Sequence, residues 1–67
     1  MSALDGLVPE INAALAELEV LSEAEARAGH EDNLKALLEA FARLKRVRGE
    51  VHDIAYGVRF LRARLRP

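Results

Sequence analysis

Few side chains in this sequence are spaced for chemistry. His52 and Asp53 are adjacent and Tyr56 follows one helical turn later. On a helix these would offer an imidazole, a carboxyl and a phenol at neighbouring positions. Acid–base catalysis needs more: a nucleophile within reach of the base, a second carboxylate cluster, or a glycine-rich loop for phosphate. None accompanies the group. Glu50 and Asp53, three apart, make a carboxylate pair of the kind that is normally solvated on a helix surface. His30-Glu31-Asp32 has the residue types of a metal site, yet acids at a helix start ordinarily answer the helix dipole. Cysteine is absent, which removes thiolate nucleophiles, thiolate ligands and disulfides together. These residues assign no catalytic group, no metal ligand, no cofactor and no small-molecule substrate, and the chain reads as a non-enzyme.

A second pattern points to binding. Lys45, Arg48, His52, Tyr56, Arg59, Arg62 and Arg66 recur at steps of three and four, so one helix would carry them as a single stripe. Arginine forks match phosphate oxygens and a tyrosine ring can stack on a base. Lys45, Arg48, Arg59, Arg62 and Arg66 are therefore candidate nucleic-acid contacts. The plainer reading is a solvated flank whose arginines lie over apolar neighbours and pair with Glu17, Glu19 or Glu23. The overall charge of −1 hides a divided chain. Residues 1–42 carry two Lys or Arg against nine Asp or Glu, net −7, and residues 43–67 carry eight against two, net +6. Such a division fits either an acidic helix lying beside a basic one or a basic surface that meets an acidic partner.

The elements that must position these groups are helical. Strong helix formers dominate, Thr is absent, and Ile and Val are few, which argues for an all-α fold. Sixty-seven residues make one small domain. The first helix is expected over about 6–28, with Asp5 as N-cap and Pro9 in the first turn, where its missing N–H is harmless. Val8, Ile11, Leu15 and Leu18 form its apolar stripe, with Ala14 and Leu21 beside it. Ser22 and Glu25 fit a capping box, but Ala24 and Ala26 continue good helix, and Gly29 is the expected stop. A second helix follows from about 31 to 47, led by Glu31 and Asp32, with Leu34, Leu37, Phe41 and Leu44 as its stripe. The short connection makes the pair antiparallel.

Beyond Leu44 the repeat changes step. The next apolar residue is due at 48, where the sequence has Arg48. A new series, Val47, Val51, Ile54, Val58, Leu61 and Leu65, runs at alternating steps of four and three. On a straight helix it lies about 100° around from the first. A continuous helix over about 31–65, straight or kinked near Gly49, accommodates this, as does a break near Gly49 that makes a compact three-helix bundle with a third helix over about 50–65. The absence of Pro, Ser, Thr and Asn between 43 and 60 favours the long helix.

A long second helix would overhang the first by about four turns and leave that series bare, which calls for a partner. The series Val47, Val51, Ile54, Val58, Leu61 and Leu65 is thus the expected oligomer interface of a homo-oligomer, a dimer or higher, forming a helical bundle. Tyr56 and Phe60, four apart on a different face, are the expected docking residues for a protein partner. Gly49, Asp53 and Gly57 could form a close-contact groove. The function expected is a self-associating adaptor or scaffold. The alternative is a small nucleic-acid-binding protein, by architectural analogy with phage- or plasmid-type DNA-packaging or regulatory subunits. No apolar run reaches the roughly 18 residues of a membrane span. The start lacks the pattern of a signal peptide, and the lack of cysteine agrees with a cytoplasmic setting.

Overall fold

The computed structural model describes residues 3–65. It consists of two helices, α1 (Ala3–Ala28) and α2 (Glu31–Leu65), laid antiparallel as a hairpin. The rod measures 59 × 17 × 10 Å. The all-α hairpin with a long second helix is therefore what the composition and periodicity foretell.

The turn is built by a glycine and closed by side chains. Gly29 adopts φ +75°, the left-handed conformation in which a Cβ is strained. The Gly29 N–H donates to the Ala26 carbonyl (3.2 Å) and the His30 N–H to the Glu25 carbonyl (3.0 Å). Together these are a Schellman motif, which satisfies two of the carbonyls left open at the end of α1. His30 then serves as the N-cap of α2, its carbonyl accepting from the Leu34 N–H (2.9 Å). Glu25 locks the corner: its carboxylate meets His30 Nδ1 at 2.5 Å and accepts from Asn33 Nδ2 at 3.4 Å. These bonds hold the Glu25 carboxyl below the usual glutamate range, His30 having the larger effect and Asn33 the smaller.

At the other end the helix begins earlier than expected. α1 starts at Ala3, so Asp5 is a first-turn acid and not the cap. Pro9 becomes the seventh residue, and the Asp5 carbonyl loses the N–H it would otherwise accept. The extra length has a consequence for packing. Asp5 reaches Arg59, with Arg59 Nη2 donating to Asp5 Oδ1 at 2.9 Å. α1 therefore runs alongside α2 as far as Arg59, and the expected four-turn overhang shrinks to the residues beyond it.

α2 passes through Gly49 without a break, which excludes the three-helix bundle. Nor does its inward face rotate there. The half-buried residues of α2 that face α1 are Leu34, Leu37, Phe41, Leu44, Arg48, Val51, Ala55 and Val58. Their steps are three and four throughout, so one heptad seam runs through Arg48 and on to Val58. On α1 the matching seam is Leu4, Val8, Ile11, Leu15, Leu18, Ser22 and Glu25. Arg48 fits because its stem lies along the seam while its guanidinium leaves it, Nη1 donating to Asn12 Oδ1 at 2.8 Å. Ser22 fits because its hydroxyl donates back to the Leu18 carbonyl at 2.7 Å.

The core is thin. Leu15 is the one buried hydrophobic residue among those described, at 5% exposure, and no side chain is completely enclosed. Two helices meeting along one line bury only a stripe of each, so much apolar surface stays outside.

Candidate functional site

The hairpin seam has two flanks, and they differ in chemistry. One is polar. Asp5, Asn12 and Glu19 follow each other at seven-residue spacing on α1, as do Leu38, Lys45, His52 and Arg59 on α2. Contacts place both series on the same side. Arg59 bonds Asp5 and Arg48 bonds Asn12. Asp5, Val8 and Pro9 share a groove of about 330 Å³ with His52, Ala55, Tyr56 and Arg59. Glu19, Ser22 and Glu23 share another with Leu38 and Phe41.

The opposite flank follows from helix geometry. If positions 5, 12 and 19 lie on one side of the α1 seam, then 7, 14 and 21 lie on the other, and the same holds for 40, 47, 54 and 61 on α2. These residues are Leu7, Ala14 and Leu21, and Ala40, Val47, Ile54 and Leu61. All seven are apolar and both helices contribute. The large ones are exposed: Leu7 38%, Leu21 47%, Val47 43%, Ile54 54% and Leu61 53%. The antiparallel register sets Leu7 beside Ile54, Ala14 beside Val47 and Leu21 beside Ala40. The result is a flat apolar strip along one broad side of the rod.

This geometry redistributes the residues expected to mediate assembly. Val51 and Val58 are half-buried in the hairpin seam, while Val47, Ile54 and Leu61 stand on the apolar flank and Leu65 is 80% exposed at the end of α2. Leu7, Ala14 and Leu21 belong to the same flank, although the stripe through Val8, Ile11, Leu15 and Leu18 draws attention away from them. Their signal was the seven-residue spacing, legible once the seam on α2 is known to continue. Tyr56 and Phe60 are exposed, at 69% and 58%. Tyr56 and Phe60 line a shallow hollow with Arg59, on the outer and polar side away from the apolar strip.

The basic stripe is not one surface. Arg48 is half-buried and holds Asn12; Arg59 is tied to Asp5; Lys45 Nζ sits 5.8 Å from the centre of the Phe41 ring. None of the three meets Glu17, Glu19 or Glu23. Arg62 is exposed, and Arg66 lies outside the described residues. Arg43, Arg46 and Arg64, absent from the expected stripe, are exposed as well. Glu23 pairs with Arg27 on its own helix at 3.7 Å.

His52 and Tyr56 line the groove that contains Arg59, whereas Asp53 points outward. Among the described residues no group of three His, Cys, Asp or Glu could hold a metal ion. Gly49 and Gly57 face open space, since a Cβ on either would meet nothing within 4 Å. The hairpin itself therefore makes no use of a close-contact groove. Among the described residues no helix is long and apolar enough to cross a membrane. No protein-family model, curated protein or solved structure matches this chain.

Proposed function

We propose that the protein is a non-catalytic helical-hairpin interaction module that self-associates through the apolar flank. The observation that carries this reading is the strip made by Leu7, Leu21, Val47, Ile54 and Leu61, each more than a third exposed in a rod in which Leu15 is the one buried hydrophobic residue among those described. A lone two-helix seam gives a chain of this size little stability. Stacking a second hairpin on the strip turns one line of contact into a four-helix core. The outward Tyr56 and Phe60 would remain free in that assembly to dock a further protein, with the neighbouring arginines setting its orientation. Light scattering tests the first step. A mass above 7.4 kDa that falls on dilution is expected, and a 7.4 kDa species with a melting temperature independent of concentration would overturn the reading.

Nucleic-acid binding is the second reading. It is favoured by Arg43, Arg46, Arg62 and Arg64, which are exposed and have no ion pair among the described residues. It is weakened by the engagement of Arg48 and Arg59 within the hairpin. Fluorescence anisotropy with DNA and RNA at low salt tests it: binding that falls steeply with added salt supports this reading, and no change in anisotropy removes it.

A further inference from the structure

We infer that the occupant of the apolar flank is a second copy turned end for end, so that the acidic turn of one hairpin lies on the basic open end of the other. The inference rests on the self-association proposed above and adds its geometry.

The argument is charge along the rod. Charges on the polar flank face away from the strip and are left out. At the turn end, residues 19–42 without Glu19 and Glu31, four acids (Glu23, Glu25, Asp32 and Glu39) stand against Arg27 and Lys35, net −2. At the open end, residues 3–9 and 55–65 without the Asp5–Arg59 pair, Arg62 and Arg64 give net +2. The middle, residues 10–18 and 43–54, lies on the partner's middle in either orientation. Each third of the 59 Å rod is about 20 Å long. That is more than twice the screening length of about 8 Å at physiological ionic strength. Each third therefore responds to the part of the partner directly against it. Two hairpins stacked with their turns together set −2 on −2 and +2 on +2. Turned end for end, they set −2 on +2 twice.

The edges of the apolar strip do not alter this choice. In the reversed stack α2 lies on α2 and α1 on α1, which brings Arg43 to the partner's Glu50 and Glu10 to the partner's Glu17. With turns together α2 lies on α1, which brings Arg43 to the partner's Glu17 and Glu10 to the partner's Glu50. Each orientation has one attractive and one repulsive kind of pair, so the ends decide. The strip itself permits the reversal. Its midpoint is Ala14 and Val47, and a twofold axis there sets Leu7 on the partner's Leu21 and Val47 on its own copy.

The absence of cysteine makes the test direct. Asp32→Cys labels the turn tip with a nitroxide and removes one acid, so it weakens the gradient. Electron double resonance on the assembled fraction should give a tip-to-tip distance of roughly 45 Å, from 15 residues on each side of the midpoint at 1.5 Å each. In a mixture of Asp32→Cys and Phe60→Cys copies carrying donor and acceptor dyes, energy transfer should be efficient between the two different labels. A dimer with a tip-to-tip distance under about 25 Å, or without transfer in the mixture, would overturn the orientation and leave self-association standing. A 7.4 kDa species with no intermolecular distance would overturn both.

Discussion

Replacing Ile54 with aspartate separates the apolar flank from every other exposed hydrophobic on the rod. Ile54 is 54% exposed and lies near the middle of the strip. Complete burial of an isoleucine stabilises by about 1.5–3 kcal/mol, so the exposed half is worth about 1 kcal/mol to an interface. A twofold dimer contains the residue twice, and the substitution removes about 2 kcal/mol of association free energy. That alone weakens the dissociation constant roughly 30-fold. A carboxylate forced against an apolar partner surface adds to the loss. Phe60→Asp is the matched control. Phe60 is 58% exposed on the outer side of the same helix. Its variant introduces the same charge and a similar cost in helix propensity. Sedimentation equilibrium over a range of concentrations should show Ile54→Asp shifted by at least this factor and Phe60→Asp close to wild type. Circular dichroism should show both still helical. Equal dissociation constants for the two variants would refute the assignment of the apolar strip as the interface.

The glycines give opposite expectations. Gly29→Ala should lower stability by about 1–2 kcal/mol, because the left-handed backbone at the turn strains a Cβ, whereas Gly49→Ala should raise it by about 0.5–1 kcal/mol, a helix interior with open space being better filled by alanine; urea titration distinguishes them, and equal effects would contradict the helix assignment at residue 49. Arg48→Leu should stabilise the hairpin by about 1 kcal/mol, since it completes an apolar seam at the expense of one exposed hydrogen bond to Asn12; a lower denaturation midpoint would argue against a continuous seam. The native Glu25 carboxyl is held below its unfolded value, so its contribution to stability is complete above the ordinary glutamate value of about 4.3 and is lost as pH falls through the lowered native value. Glu25→Gln should flatten that acid limb in thermal melts at pH 2–5 (roughly the range set by these values), and an unchanged limb would exclude the corner as its source.

The helical character, the hairpin, its turn at Gly29 and the inward stripe of α1 were legible in the sequence, because each depends on local chemistry: helix propensity, a glycine free to take positive φ, and apolar residues at steps of three and four. The sequence also exposed the surplus of apolar residues after Leu44. It could not show which of them the hairpin uses. Counted by hydrophobicity, Val47, Val51, Ile54, Val58, Leu61 and Leu65 make a better seam than Arg48, Val51, Ala55 and Val58. Only the packing of α2 along the whole of α1 selects the second series. Shifting to the first would turn the inward face by about 50° in the middle of an unbroken helix, while Arg48 can stay in line by extending its stem and Ala55 by letting the helices approach. That choice, made by a partner helix up to 54 residues away in the chain at Asp5 and Arg59, leaves Val47, Ile54 and Leu61 outside and joins them to Leu7 and Leu21 as one surface.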